Sequence, residues 1–263
     1  MFPTFDHVFL LVEENHSFDQ VMVASAMPYL TSLAEQFGLC TQYHSPTHPS
    51  IGNYLALTCG TVLTNDDSYS GSFDVDNIAR RLIGAGRRWK AYCDSLPAVG
   101  YLDSHFPYVT RHNPFSYYTD VTTDNRQHQN LVPFAPYFMQ DLKADSLLDF
   151  SFIVPDILHD AHSASLGDAD SWLRANVGPL ISSDLLKSKG LLIITFDEGD
   201  VNDNAGGGGH VATLLISSKI VRRQSATSYS HVNTLRTIME ALGLPGPFPG
   251  GADGAQPMSE FFE

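Results

Sequence analysis

Four short segments of the chain are continuously hydrophobic, which predicts buried β-strands. They are residues 5–13 (FDHVFLLVE), 151–155 (SFIVP), 190–196 (GLLIITF) and 210–217 (HVATLLIS). Hydrophobicity that does not alternate with polar positions is typical of strands covered on both faces, as in a parallel sheet.

Between these segments the hydrophobic residues recur at helical spacing. Helices are predicted over residues 17–36, with Pro28 as a break or restart, over 168–188 and over 229–242. Strands and helices in alternation predict an α/β fold in which helices cover a mostly parallel sheet. Active sites in such sheets lie beyond the carboxyl ends of the strands.

The middle of the chain, residues 60–144, is rich in Tyr, Asp and Asn and has weak periodicity. We interpret it as long loops and short helices that cover the active-site edge of the sheet. No repeat or linker divides the chain, so a single domain over residues 1–263 is expected.

Polar residues with metal-ligand chemistry follow three of the predicted strands. The sets are Glu13, Glu14, Asn15 and His16; then Asp156, Asp160 and His162; then Asp197 and Glu198. A carboxylate after a single strand is commonly a helix cap. Three such ends meet at one edge of a sheet, however, and their carboxylates would repel one another unless a cation lay between them. The pattern therefore predicts a divalent cation site.

Hydroxyl groups stand at Thr47 and Ser50, ahead of a short helix predicted over residues 54–57. A hydroxyl near a helix N-terminus has backbone N–H groups and the positive end of the helix dipole beside it. That setting favours alkoxide character and a bound phosphate. An ordinary serine cap is the simpler alternative, and no GxSxG or Ser-Lys pattern indicates an acyl-enzyme hydrolase.

The amino-acid composition argues against some classes of binding partner. Fifteen Lys and Arg against 29 Asp and Glu give a formal charge of −14, which argues against binding to a nucleic-acid backbone. No stretch approaches the roughly 20 apolar residues of a membrane-spanning helix, and no secretion-signal pattern precedes the first strand. Cys40, Cys59 and Cys93 have no metal-type spacing; one disulfide or three buried thiols both fit.

Six motifs, in order along the chain, resemble those of the bacterial phosphoesterase family that includes secreted acid phosphatases and non-haemolytic phospholipases C. They are ENHSFD (14–19), HPS with NY (48–54), HNPF (112–115), TFDEG (195–199), the glycine run into HVAT (206–213), and YSH with LRTI (229–238). The family belongs to the alkaline-phosphatase-like superfamily. The resemblance therefore implies an α/β/α sandwich around the mostly parallel sheet.

The resemblance also implies roles for individual residues. Metal ligands are implied at Glu14, Asn15, Ser50, Asp197 and Glu198, with a second site at Asp156, Asp160 or His162, and His210. Ser50 is implied as the nucleophile, because related proteins carry Thr-Phe-Pro-Asn where this chain has residues 50–53. Asn53 and a histidine from His112, His162 or His210 would then stabilise the phosphate oxygens. Gly52 departs from the proline that is usual in the family.

The implied activity is metal-dependent hydrolysis of phosphate monoesters through a phosphoserine intermediate, on small esters, phosphoinositides or other phosphorylated lipids. A phospholipase C acting on diesters and a non-catalytic metal- or phosphate-binding protein are the alternatives. One or two divalent ions are expected, with calcium, magnesium or manganese favoured over zinc. Export to the periplasm or outside the cell is expected by resemblance, and the sequence leaves the oligomeric state open.

Overall fold

One sheet of eight strands forms the centre of the structure, a computed structural model that describes residues 2–262. The strands are β1 (His7–Glu13), β2 (Gly38–Cys40), β3 (Trp89–Cys93), β4 (Leu131–Pro133), β5 (Phe150–Val154), β6 (Gly190–Phe196), β7 (Thr213–Ile216) and β8 (Gln224–Ser225). Their order across the sheet is β4-β3-β5-β1-β6-β7-β2-β8.

Eleven α-helices are described between and after these strands. They are α1 (Phe18–Val21), α2 (Pro28–Gln36), α3 (Ser50–Cys59), α4 (Ile78–Gly84), α5 (Thr119–Thr122), α6 (Asn125–His128), α7 (Phe134–Lys143), α8 (Leu166–Asn176), α9 (Gly178–Ser182), α10 (Asp184–Lys189) and α11 (His231–Ala241). Short 3-10 helices cover Thr110–His112, Pro114–Tyr117, Ala205–Gly207, Gly250–Ala252 and Ser259–Phe262.

The sheet is mostly parallel, which confirms the predicted fold class. Only β7 runs antiparallel, against both β6 and β2, among the strand pairs that the structure describes. β1 lies between β5 and β6 and is parallel to both, with Glu13 opposite Phe196. The carboxyl ends of these three central strands therefore meet at one edge, where the polar residues of the sequence motifs follow.

The central strands are buried over nearly their whole length. Every residue of β5 and β6 is buried, and in β1 only His7 is partly exposed. This is why their sequences are continuously hydrophobic: helices and loops cover both faces of the sheet. No helix among residues 2–262 is both long and apolar enough to cross a bilayer.

Several element boundaries differ from the prediction. Residues 60–144 contribute two strands of the sheet, β3 and β4, which we had expected to be loops and short helices. Both strands are short and lie at one side of the sheet, so neither carries a long hydrophobic run. The region 168–188 forms three helices, α8, α9 and α10, rather than one. The strand predicted from residue 210 begins at Thr213.

The helix that carries the candidate nucleophile begins earlier than predicted, at Ser50 rather than at residue 54. All ten residues of α3 are buried, and it ends at Gly60, whose φ of 72° is left-handed. Glycine adopts that conformation without steric strain. Ser50 is consequently the first helical residue, a position that the sequence alone did not assign to it.

Candidate active site

Ser50 lies beside two carboxylates at the first turn of α3. Its Oγ lies 3.1 Å from Glu14 Oε2 and 3.4 Å from Glu198 Oε1. The serine is only 3% exposed. A hydroxyl, a helix N-terminus and two buried acidic groups are therefore brought together from three distant parts of the sequence.

Adjacent parallel strands position the carboxylates. Glu14 follows β1, and Asp197 and Glu198 follow β6. The backbone N–H of Asn15 donates to Asp197 Oδ1 at 3.2 Å, and that of Glu198 donates to the same oxygen at 2.6 Å. Asn15 adopts a φ of 56°, a left-handed conformation that asparagine tolerates well. These contacts fix the two strand ends to one another.

His112 lies between two acidic groups at the same edge. Its Nε2 is 3.1 Å from Glu14 Oε1, and its Nδ1 is 3.2 Å from Asp160 Oδ2. Neither ring nitrogen has a partner with hydrogen-bond geometry among the described residues. Asp160 Oδ1 accepts the backbone N–H of His162 at 2.8 Å. His112, His162 and Asp160 are thus brought to the Glu14 side of the site.

Burial changes the protonation of these groups. It raises the pKa of Glu14 well above its usual value, and the neighbouring Asp197 adds to the rise. Burial also raises the pKa of Asp197, with Glu198 as the next cause. The same loss of hydration lowers the pKa of His112 and keeps its ring neutral. Carboxylates this close in a dry environment cannot all ionise without a compensating cation.

The residues at this edge fit a divalent metal ion. Glu14, His112 and His162 each offer one ligand atom within 4.8 Å of the others. Asp197 Oδ2 and Asp160 Oδ2 are buried without a hydrogen-bond partner among residues 2–262. Carboxylate oxygens and neutral imidazole nitrogens are common ligands of manganese and zinc, and the oxygens also suit magnesium and calcium. These unpaired oxygens are available as ligands for a cation.

Asn53 and His48 surround Glu198. Asn53 Nδ2 lies 3.3 Å from Glu198 Oε2 and 2.8 Å from the Thr47 carbonyl, while Ser45 donates to its Oδ1. His48 Nδ1 lies 2.7 Å from the same Glu198 oxygen, and its Nε2 lies 2.9 Å from the Asp203 carbonyl. Asn53, predicted as a donor to phosphate, therefore lies at the site with its amide directed at Glu198.

His210 is not brought to this cluster. Its Nε2 lies 3.0 Å from the Thr41 carbonyl, and its ring stacks against the rings of Phe18 and His44. No hydrogen bond or ion pair connects it to Ser50, Glu14 or Asp197 among the described residues. The predicted role of His210 in catalysis or in a second metal site has no support in this geometry, because the ring is held by backbone and aromatic contacts elsewhere.

The glycine run before His210 packs against the segment that leads to Ser50. A Cβ at Gly208 would lie 2.0 Å from the Thr47 carbonyl oxygen, and one at Gly207 would lie 2.3 Å from that of Pro46. Glycine is required there because any side chain would collide with backbone. The glycine run therefore packs directly against the backbone of the segment that leads to Ser50.

Asp156 lies in a separate group with Asp94 and His159. His159 Nδ1 lies 2.8 Å from Asp94 Oδ2 and 3.2 Å from Asp156 Oδ1. Asp156 also accepts from the Ser95 hydroxyl and the Leu158 N–H. The prediction had grouped Asp156 with Asp160 as metal ligands, but the turn between them directs their side chains into different sets of contacts.

Sequence reasoning missed three residues of the site. Tyr54 donates to Glu14 Oε1 at 2.6 Å, Asp67 Oδ1 accepts the N–H of Ile51 at 3.1 Å, and Arg111 Nη2 lies 3.1 Å from His162 Nε2. A helix start at Ser50 would have indicated Tyr54, which is one turn later on the same face. Asp67 and Arg111 carry no comparable signal, because their positions depend on how the middle of the chain folds.

His231 contacts the backbone and side chains that surround the site. Its Nε2 lies 2.6 Å from the Asp197 carbonyl oxygen and 3.0 Å from Ser45 Oγ, and its Nδ1 lies 2.9 Å from the Tyr43 hydroxyl. Burial lowers the pKa of His231 to about 4, which keeps the ring neutral. Such outer contacts orient the residues in contact with substrate or metal.

The chain is similar in sequence to known phosphoesterases and phosphatases. The model of the phosphoesterase family matches residues 22–245. A phosphatidylinositol-3-phosphatase of Mycobacterium tuberculosis is 28% identical over 99% of this chain and 84% of its own length. A phosphate-repressible acid phosphatase of Penicillium chrysogenum is also 28% identical, over 82% of this chain, and the chain spans 54% of that protein.

Among solved structures, a protein of the alkaline phosphatase superfamily from Vibrio parahaemolyticus matches with a TM-score of 0.68. It is 13% identical, and the match covers 93% of this chain and 68% of that one. At this identity the likeness concerns the fold alone. It agrees with the mostly parallel α/β sheet described above.

Proposed function

Because the chain belongs to the phosphoesterase family and is a phosphoric ester hydrolase, we propose that it hydrolyses phosphate monoesters with a divalent metal through a phosphoserine intermediate. One observation carries the proposal: the Ser50 hydroxyl lies at the start of α3 within 3.1 Å of Glu14 and 3.4 Å of Glu198. A protein that only binds phosphate or metal needs no buried hydroxyl at that point.

The chemistry proceeds in two displacements at phosphorus. Ser50 Oγ loses its proton and forms a bond to phosphorus, while the bond from phosphorus to the ester oxygen breaks and the alcohol leaves with a proton. Water then attacks the phosphorus of the phosphoserine. The bond between phosphorus and the Ser50 oxygen breaks, and phosphate is released. The Ser50 hydroxyl is regenerated by the proton that the attacking water gives up.

We assign the metal to Glu14, Asp197 and Glu198, with Asp160, His112 and His162 on the adjoining side. A bound divalent ion would lower the pKa of the serine hydroxyl and compensate the negative charge at phosphorus. His112 is held between Glu14 and Asp160, and Asn53 is held against Glu198. We assign both, with Asn15 at the strand end, to positioning around the phosphate oxygens.

The class of ester is part of the proposal. The name of the mycobacterial relative specifies a phosphorylated inositol lipid, and the Penicillium relative is named as an acid phosphatase. We propose that this chain acts on monoesters of either kind, with hydrolysis of phospholipid diesters, as in a phospholipase C, as the competing activity. Export from the cytoplasm remains a proposal, to be tested by fractionating cells that express the native gene.

The test compares a monoester with a diester on the same protein. We expect p-nitrophenyl phosphate to be hydrolysed with a higher kcat/KM than p-nitrophenyl phosphorylcholine; a strong preference for the choline ester would favour the phospholipase C.

The nucleophile is tested with Ser50→Ala, which should lose turnover by several orders of magnitude while its circular dichroism stays unchanged. Acid quenching during turnover should trap phosphate on the peptide that contains Ser50. Ser188→Ala is the control, because Ser188 is exposed on α10 and, among residues 2–262, its hydroxyl bonds only to the Asp184 carbonyl. Full activity of Ser50→Ala would show that Ser50 is not the nucleophile.

A further inference from the structure

A cavity of about 560 Å³ lies in the middle region of the chain, beside the candidate active site. Loop residues 67–72 form part of its wall, and residues from 102–122 form the rest. Pockets for small ligands are commonly 300–1,000 Å³ in volume, so this one has room for an alcohol of moderate size. None of the metal or nucleophile assignments above uses it.

Two residues connect the cavity to the nucleophile. Asp67 lines it, and its Oδ1 accepts the N–H of Ile51, the residue after Ser50, at 3.1 Å. Arg111 also lines it, and its Nη2 lies 3.1 Å from His162 Nε2. Arg111 Nε is 3.5 Å from Asp67 Oδ2, so the two residues form an ion pair at the junction. The cavity therefore adjoins the edge where Ser50 and His162 lie.

The wall of the cavity is dominated by hydroxyl groups. Nine of its fourteen lining residues are serines, threonines or tyrosines. Leu102 is the aliphatic member of the set. Hydroxyls both donate and accept hydrogen bonds, which matches an alcohol that has several hydroxyls of its own. Some of the hydroxyls already bond within the protein, as Tyr69 does to the Ser72 carbonyl and Thr110 to the Leu102 carbonyl. An acyl chain would leave the others without partners, which costs free energy.

We infer that this cavity is the subsite for the leaving alcohol, and that it selects monophosphates of polyhydroxylated alcohols such as sugars and cyclitols. The inference rests on the proposed function, since it concerns the part of the ester that departs from phosphorus. Arg111 is its specificity-determining residue at the junction, where the guanidinium can donate to the ester or to a nearby hydroxyl oxygen.

The first test compares glucose 6-phosphate with hexyl phosphate. Both are monoesters of a primary alcohol, so their chemistry at phosphorus is similar while the hydroxyl content of the leaving group differs. We expect kcat/KM to be at least about tenfold higher for glucose 6-phosphate, the equivalent of roughly one well-formed hydrogen bond. Equal values, or a preference for hexyl phosphate, would overturn the inference.

The second test changes the cavity wall. Ser72→Ala removes an exposed hydroxyl of the wall, so the fold should be retained, and Ser70→Leu places an apolar side chain at another exposed position of the wall. Each should lower kcat/KM for glucose 6-phosphate about three- to tenfold more than that for hexyl phosphate. Ser188→Leu, on α10 away from the cavity, should leave the ratio unchanged. An unchanged ratio in both cavity variants would contradict the assignment.

A third variant addresses Arg111. Arg111→Lys keeps the charge but removes the planar guanidinium, and we expect the selectivity for glucose 6-phosphate to fall by a rise in KM more than by a loss of kcat. A fall in kcat with no change in the selectivity ratio would assign Arg111 to the phosphate alone and contradict its role here. If the wild-type protein hydrolysed neither ester, that result would count against the proposed function instead. Failure of this inference and failure of the proposed function are therefore distinguishable.

Discussion

Tyr54 donates a 2.6 Å hydrogen bond to Glu14 Oε1, while Ser50, one helical turn earlier, donates to Glu14 Oε2 at 3.1 Å. Both oxygens of one carboxylate are therefore held by hydroxyls from the same face of α3. Because α3 is buried along its whole length, this contact fixes the end of β1 to the helix that carries the candidate nucleophile. Tyr54 is a positioning residue in this arrangement.

Tyr54→Phe should weaken binding of the activating metal. The substitution keeps the ring and its packing but leaves Glu14 Oε1 without its donor, and loss of such an outer partner typically costs 10–100-fold in metal affinity. Calorimetric titration of the metal, with KM and kcat measured at saturating metal, would show it.

Tyr92→Phe is the matched control, because the Tyr92 hydroxyl bonds to Asp141, outside the cluster. Unchanged metal affinity in Tyr54→Phe would show that Glu14 is oriented by other contacts.

Chelation should stop turnover, and added divalent ion should restore it. The bound ion should also stabilise the fold, by about 2.7 kcal/mol at a metal concentration one hundred times the Kd. A chain of this size would then unfold several degrees higher in a thermal scan. Asp197→Asn, which keeps the shape but removes a charge, should lose most of that shift. Full activity after exhaustive chelation would contradict metal dependence.

The stabilising contribution of Asp149 should depend on pH. Burial acts to raise the pKa of Asp149, but the Arg88 N–H and the Arg87 guanidinium outweigh it and hold the pKa below its usual value. The unfolded chain then binds a proton more readily, so the contribution is present above the unfolded pKa and is lost as pH falls through the folded one.

Urea unfolding of wild type and Asp149→Asn would measure this dependence. The difference in unfolding free energy should be present at neutral pH and should shrink between about pH 5 and about pH 3. Glu35→Gln, an exposed change on α2, serves as the control. A difference that stays constant over that range would show that the ion pair is not its source.

The three cysteines should be unpaired thiols that react slowly in the native protein. Cys40, Cys59 and Cys93 are free and buried, and burial raises the pKa of each. Since the thiolate is the reactive form, native protein should react with Ellman's reagent far more slowly than unfolded protein. Unfolding without reductant should release three thiols, whereas one thiol would demonstrate a disulfide. Ser70→Cys, at an exposed position, should add one fast-reacting thiol.

Much of the fold could be predicted because its central strands are buried on both faces. β1, β5 and β6 lie within a residue or two of the predicted segments, since burial on both sides demands hydrophobic residues at every position. The short strands β3 and β4 carry no such hydrophobic run. The antiparallel direction of β7 is defined only by its pairing with β6 and β2. Strand order and direction depend on pairing between distant segments, which local sequence does not record.

For the site, the sequence by itself determined which chemical groups are available: the acidic residues at the ends of β1 and β6, and the hydroxyl of Ser50. Only the tertiary structure decided which of them meet. It placed His112 between Glu14 and Asp160, held His210 against the Thr41 carbonyl, and placed Asp156 beside His159. The physical reason is that a side chain's partners follow from the packing of the whole chain, whereas a motif specifies only which atoms are present.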